Sequence, residues 1–287
     1  MDPILIADSG STKTDWALGK LRLKTQGINP IHQDDEAILS ILRQELLPNL
    51  KSQTSNFKSQ FSNPKAIRFY GSGVRPDQEV RMQRLLSQVF PSASDIEARS
   101  DMLGAARALC GSSEGIACIL GTGANSCLYD GERMVANTPP LGYILGDEGS
   151  GAVLGRLFLN ALYKGRMYAG AREEFKQHTG MTMSDVIDRV YRQPMANRWL
   201  ASLSVYIGTL LRHPEVRALV VQNFRDFIVR NIVPYQRPDL PIGAVGSIAY
   251  YYRDQLAEAA QAEGYTLGTV LRSPIDGLAS LGAHSSE

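Results

Sequence analysis

Asp8 ends an apolar run and is followed by Ser9-Gly10-Ser11-Thr12-Lys13-Thr14, an order of residues suited to holding an anion. Gly10 has no side chain and lets backbone N–H groups approach a ligand, while Ser11, Thr12 and Thr14 offer hydroxyls. Lys13 could add a charge contact or simply face solvent, and a polar hairpin tip in water is the plain alternative for the whole stretch. Asp101 stands where a short strand hands over to an Ala-rich helix. A carboxylate there can take a proton from an attacking hydroxyl, and equally Ser100 or Asp101 can cap the helix. Gly121-Thr122-Gly123-Ala124-Asn125 is a second turn of glycine and hydroxyl residues between strands. In Gly146-Asp147-Glu148-Gly149-Ser150, glycines around two carboxylates imply a backbone passing close to something small. A solvated loop is the alternative, against which the apolar Leu141, Tyr143, Ile144 and Leu145 argue. Gly246-Ser247 opens a helix after a strand, a place for a ribose or adenine to approach.

These residues need elements to hold them. Alternation and turn residues predict strands on either side of the first turn, with 21–24 extending the meander. A helix follows over 34–50, capped by Asp34 or Asp35, and then a polar stretch over 51–63, a surface loop or a continuation of the helix. A strand at 66–70, a helix opened by Pro76-Asp77 and running to Val89, and a strand at 95–98 lead to Asp101. Strands at 115–120, 126–129 and 133–136 then repeat the opening arrangement around Gly121. This repetition suggests two similar halves facing one another across a cleft. Helices are expected at 151–163, as an amphipathic bundle through 171–234, at 250–263 after a strand at 241–249, and at 274–283.

The composition narrows the partners. The 287 residues are 44% hydrophobic, ample for a sizeable core and more than one typical domain. With 30 Lys and Arg against 29 Asp and Glu, no charge footprint favours nucleic acid or an anionic membrane. Cys110, Cys118 and Cys127 have no C-x-x-C spacing, which speaks against a disulfide framework or a zinc site. No signal peptide is visible and no uncharged apolar run approaches the roughly 20 residues that span a bilayer. A cytoplasmic protein is expected.

In this order and spacing the motifs resemble the actin/Hsp70/sugar-kinase superfamily, and within it the BadF/BadG/BcrA/BcrD ATPase family that includes N-acetylglucosamine kinase. Asp8 to Thr14 resembles the first phosphate motif, Leu120 to Asn125 the second, and Ala244-Val245-Gly246-Ser247 the adenosine motif. Gly146-Asp147-Glu148-Gly149-Ser150 after a Gly-Thr-Gly-x-Asn turn is similar to the N-acetylglucosamine kinase branch in particular. The chain is short for that branch.

The resemblance implies an α/β, two-lobed ribonuclease H-like (actin-like ATPase) fold, with duplicated mixed β-sheet domains flanked by helices. The N-terminal lobe would be 1–107, joined by a C-terminal helix at 273–287, and the C-terminal lobe 108–272 with a helical insertion at 160–235. It implies ATP-dependent phosphorylation of an amino sugar, N-acetylglucosamine at its 6-hydroxyl first among them, with Mg²⁺. Asp101 matches the catalytic base and also touches sugar. Gly10, Ser11, Thr12, Lys13, Gly121, Thr122 and Gly123 match phosphate contacts, Gly246 and Ser247 nucleoside contacts, and Asp8 a carboxylate holding Mg²⁺ through water. Asn29, Asn125, Gly142 and Asp147 match sugar contacts, while Glu148 either holds the loop or meets ligand. A homodimer is left open. Two other readings share this scaffold: an ATPase activator of a radical dehydratase or reductase, which needs a cluster-binding cysteine pair, and a non-catalytic sugar or nucleotide sensor.

Overall fold

The computed structural model of the chain describes residues 4–10, 12–54 and 64–284. It divides into two compact units, one of Met1–Ser112, Gly131–Arg133 and Ser273–Glu287, the other of Ser113–Asp130 and Met134–Arg272. Each unit is built on one five-stranded sheet.

In the first unit, β1 (Ile4–Ser9), β2 (Lys13–Leu18) and β3 (Leu21–Gln26) form an antiparallel meander, and β4 (Ala66–Gly71) and β5 (Asp95–Ser100) add in parallel on the far side of β1. The sheet order is β3-β2-β1-β4-β5. Leu5, Ile6 and Ala7 of β1 are all buried, as a central strand covered on both faces requires. One face carries α1 (Asp35–Ser40), a π-helical turn Ile41–Leu46, α2 (Leu47–Thr54) and α3 (Pro76–Val89). Their Ile38, Leu42, Leu46, Met82 and Leu86 pack on Leu5, Trp16 and Phe69. Asp34 caps α1 by accepting from the Ala37 N–H at 2.8 Å, one of the two capping residues expected. The helix runs on to Thr54, so 51–54 continue it, one of the two readings of that stretch, and 55–63 lie outside the described residues. The opposite face carries α4 (Asp101–Cys110) and α13 (Pro274–His284), with Ile275 and Leu278 packed on Ile6, Ala17 and Tyr70.

The second unit repeats this order. β6 (Gly115–Leu120), β7 (Ala124–Tyr129) and β8 (Met134–Ala136) form the meander, and β9 (Ile242–Val245) and β10 (Leu267–Leu271) lie parallel beyond β6. The order β10-β9-β6-β7-β8 is that of the first unit, strand for strand. Strand β10 has no counterpart in the sequence reading. Strand β7 begins at Ala124 and not at 126, which shortens the turn to Gly121–Gly123 and places Asn125 in the strand.

The helices of this unit are α5 (Gly142–Leu145), α6 (Gly151–Tyr163), α7 (Ala171–Thr179), α8 (Met183–Tyr191), α9 (Ala196–Thr209) and α10 (Pro214–Phe227), then α11 (Ser247–Tyr251) and α12 (Arg253–Ala262). A π turn, Ile228–Ile232, and a 3₁₀ turn, Val233–Tyr235, extend α10. Helix α11 starts three residues before the expected 250, directly after Gly246. Phe158, Phe175, Tyr206, Phe224 and Phe227 fill one core with Leu120 and Ile116 of the sheet. No helix among the described residues is long and apolar enough to cross a membrane.

Candidate active site

In the first unit the candidate residues gather where the parallel strands β1, β4 and β5 end. Open α/β sheets bind ligands beyond the carboxyl ends of their strands, because loops there turn back and leave a crevice. Asp8 is the penultimate residue of β1, opposite Asp15 on β2 and Tyr70 on β4. Alternation places it on the face of Ile6, the face covered by α4 and α13. Ser100 ends β5 and caps α4, accepting from the Leu103 N–H at 3.3 Å. That assigns the cap to Ser100 and leaves Asp101 as the first residue of the helix. Its Oδ1 accepts from the Met102 N–H at 2.9 Å.

Both carboxylates are held above their ordinary range. Burial is the largest cause for Asp8, and the charges of Asp101 and Asp15 add to it, pushing its pKa up to about 7 against the pull of Lys13 and a hydrogen bond with Ser273. Burial raises Asp101 as well, opposed by the backbone N–H groups of Met102 and of Asp101 itself. Carboxylates that resist ionisation together suit a site completed by a cation. Lys13, whose charge acts on Asp8, is engaged elsewhere, since its Nζ bonds Asp15 at 2.5 Å. A single carboxylate with substrate phosphates is a usual way to hold Mg²⁺, so Asp8 fits that ion. No group of three or more His, Cys, Asp or Glu suited to a metal occurs among the described residues.

The hairpin tip differs from its expected chemistry at one residue. Thr14 is fully buried, its hydroxyl 2.7 Å from Ser9 Oγ and donating to the Gln26 carbonyl at 3.1 Å, so it holds the hairpin and offers nothing to a ligand. Gly10 donates its N–H to the Lys13 carbonyl at 3.0 Å, and Thr12 is exposed. Ser11 lies outside the described residues. Asn29 joins the same strand edge: Ser9 Oγ both donates to Ile28 O and accepts from its N–H, which ties the Gly27-Ile28-Asn29 turn to the end of β1. The Asn29 amide fills the space where a side chain on Gly73 would stand. Asn29 Oδ1 accepts from Ile31 N–H at 3.0 Å.

In the second unit the turn Gly121–Gly123 is closed by Gly121 N–H donating to the Gly123 carbonyl at 3.0 Å. The first N–H groups of α6 continue from it: Gly151 donates to Gly121 O at 2.8 Å and Ala152 to Thr122 O at 3.2 Å. Asp147 has a left-handed backbone, φ 55°, unusual for a residue with a side chain and a sign of imposed geometry. Burial raises its pKa first and Glu148 adds, while N–H groups of Ala124 and Gly142 bond it and oppose the rise. The loop therefore brings Asp147, Gly142 and Gly123 together. Asn125 Oδ1 accepts from Asn137 Nδ2 at 2.9 Å. Gly246 has φ 122°, and a side chain there would meet the Leu120 carbonyl, so the adenosine-type turn lies against the end of β6. Ser247 next to it is exposed.

Glu148 is turned to structure, accepting from Arg230 at 2.6 Å. Cys118 and Cys127 are fully buried in β6 and β7, away from any surface a shared cluster would need, and burial raises the Cys110 thiol. Ser273, Asn137 and Asn223 escaped the sequence reading. Only Asn223 had a readable signal, a polar residue on the apolar face of α10.

Two sheets of one topology, each with a glycine-hydroxyl hairpin at its first turn, define an actin-like ATPase fold. A Porphyromonas gingivalis protein named as a putative N-acetylglucosamine kinase is similar over 98% of this chain and 99% of its own, at 49% identity and TM-score 0.91. A Chromobacterium violaceum protein with the same name matches at 19% identity and TM-score 0.70, over 98% and 99% of the two chains. A glucokinase of the ROK family from Streptomyces griseus matches at 13% identity and TM-score 0.57, over 98% of each chain. The last two show the fold alone. No protein-family model and no curated protein matches the chain. At 49% identity over essentially the full length of both chains, this chain belongs to the N-acetylglucosamine kinase-like family of sugar kinases.

Proposed function

We propose that the protein transfers the γ-phosphoryl group of ATP to an amino sugar, N-acetylglucosamine at its 6-hydroxyl in the first instance. The observation that carries this reading is Asp101. It is a carboxylate whose pKa burial raises, at the β5–α4 junction, and its charge is among those that raise Asp8. A carboxylate whose pKa is raised is a stronger base than an ordinary one, as taking a hydroxyl proton asks.

In this reading the sugar hydroxyl gives its proton to Asp101 as its oxygen forms the new bond to phosphorus, and the bond from phosphorus to the ADP oxygen breaks. Gly10, Ser11, Thr12 and Lys13 would contact phosphate, as would Gly121, Thr122 and Gly123. Asn29, Asn125, Gly142 and Asp147 orient the sugar, and Gly246 with Ser247 borders the nucleoside. Asp8 would hold Mg²⁺ through water; the bound ion neutralises charge on the phosphate oxygens. Phosphoryl transfer asks for little beyond such positioning and charge stabilisation, so a few carboxylates and two backbone-lined turns suffice. A coupled ADP-release assay over N-acetylglucosamine, glucosamine, N-acetylmannosamine, muramic acid derivatives and glucose tests the reading. N-acetylglucosamine should give the highest kcat/KM, and an absence of sugar-dependent ADP across the panel would refute it.

A further inference from the structure

Helix α10 buries Val216, Val220, Phe224 and Phe227, the spacing of one apolar face. Asn223 sits on that face with no solvent exposure, seven residues on from Val216 and four before Phe227, where the pattern asks for an aliphatic residue. Burying an amide is costly unless its polar atoms are bonded, so the exception calls for a reason. Its partners supply one. Asn223 Oδ1 accepts from the Gly149 N–H at 3.0 Å, and Nδ2 makes a longer bond to the Ser150 carbonyl at 3.4 Å.

Phe227, one turn further along α10, presses on the same place. A Cβ on Gly149 would stand 2.8 Å from Phe227 Cβ, and Gly149 has φ 79°, so this backbone is held by contact as well as by hydrogen bond. From Gly149 the bonds run in both directions. Ser150 donates its N–H to the Asp147 carbonyl at 3.0 Å, closing the turn that carries Asp147. Ser150 Oγ caps α6 through the Val153 N–H at 3.1 Å, and the first two N–H groups of α6, of Gly151 and Ala152, bond Gly121 O and Thr122 O.

We propose that Asn223 is a positioning residue that sets, from the helical insertion, both the Asp147 loop and the Gly121–Gly123 turn. What it positions rests on the sugar-kinase reading; that it positions this backbone does not.

The test compares the full-length protein with Asn223→Leu, which fills the space without polar atoms, and Asn223→Asp, which keeps the acceptor facing Gly149. Amide hydrogen exchange over 147–152 and steady-state kinetics are both read. Losing one buried acceptor leaves a buried N–H unpaired, so exchange at Gly149 should quicken ~10-fold or more in Asn223→Leu, and kcat should fall ~10- to 100-fold. Asn223→Asp should lie between the two, and it carries the test alone if the Leu variant does not fold. Unchanged exchange, faster exchange with unchanged kcat, or an Asp variant as impaired as the Leu variant would each overturn the proposal. Were the wild type to phosphorylate no sugar, the kinase reading would fail by itself, and the exchange comparison would still decide what Asn223 holds.

Discussion

The Asp147 carboxylate rests on Gly123: its Oδ2 is 3.0 Å from where a Cβ on that glycine would stand. The acidic loop and the phosphate-type turn are thus one fitted piece, with Asp147 also bonded by the N–H of Ala124. Gly123→Ala must displace a carboxylate that its own backbone conformation prevents from yielding freely. The contact asks for a shift of a few tenths of an ångström, and since about 1 Å at a positioned group costs on the order of 100-fold, this smaller shift costs less. Gly123→Ala should therefore lower kcat/KM for the sugar by ~3- to 10-fold, measured by ADP release. Thermal melting should show the fold retained.

Asp8 ties stability to pH. Its folded pKa of about 7 lies above the ordinary 3.8, so the folded protein holds this proton more tightly than the unfolded chain does. The matching stability is present below about pH 4 and is lost as pH rises through 7, a change of about 4 kcal/mol at most. Asp8→Asn removes that loss. In ligand-free protein the variant should melt at the wild-type temperature near pH 4 and above it at pH 8. A variant less stable than wild type at pH 8 would contradict an uncompensated buried charge.

The two raised carboxylates also shape activity. The charge of Asp101 adds to the rise at Asp8, so the ascending limb of kcat/KM against pH should report on both carboxylates. That limb should lie above the ordinary carboxylate range, because burial holds Asp8 and Asp101 protonated longer than an exposed acid. A profile flat from pH 5 upward would contradict it.

Glu148, by contrast, should matter little to the chemistry. Its carboxylate bonds Arg230, whose side chain is 64% exposed, and ion pairs of that kind contribute about 1 kcal/mol or less. Glu148→Gln should leave kcat within about threefold of wild type, with any loss appearing as a small drop in melting temperature.

The sequence revealed what is local. The first hairpin strands, the Asp34 cap and the Pro76 helix start each announce themselves within a few residues and stand where expected. Strand β10 stayed hidden because Leu267–Leu271 is five residues long, interrupted by Gly268 and only half-buried. The turn at Gly121 was read two residues too long, since Ala124 and Asn125 are ambiguous between turn and strand until their partners Leu120 and Ile119 are known. Thr14 was read as a ligand for the same reason: its buried partners, Ser9 and Gln26, are set by strand register. Asn223 lies 74 residues from Gly149, and only the folded chain brings the pair together. The left-handed backbone of Asp147 likewise follows from what surrounds it, not from its own preference.

Asp101 carries the central claim, and one measurement tests it most directly: kcat of Asp101→Asn beside wild type, with ATP, Mg²⁺ and the best sugar of the panel. Removing a general base costs about 100- to 10,000-fold. The account predicts a fall of that size with the sugar KM little changed and the fold intact. An Asp101→Asn protein that turns over at the wild-type rate would contradict it.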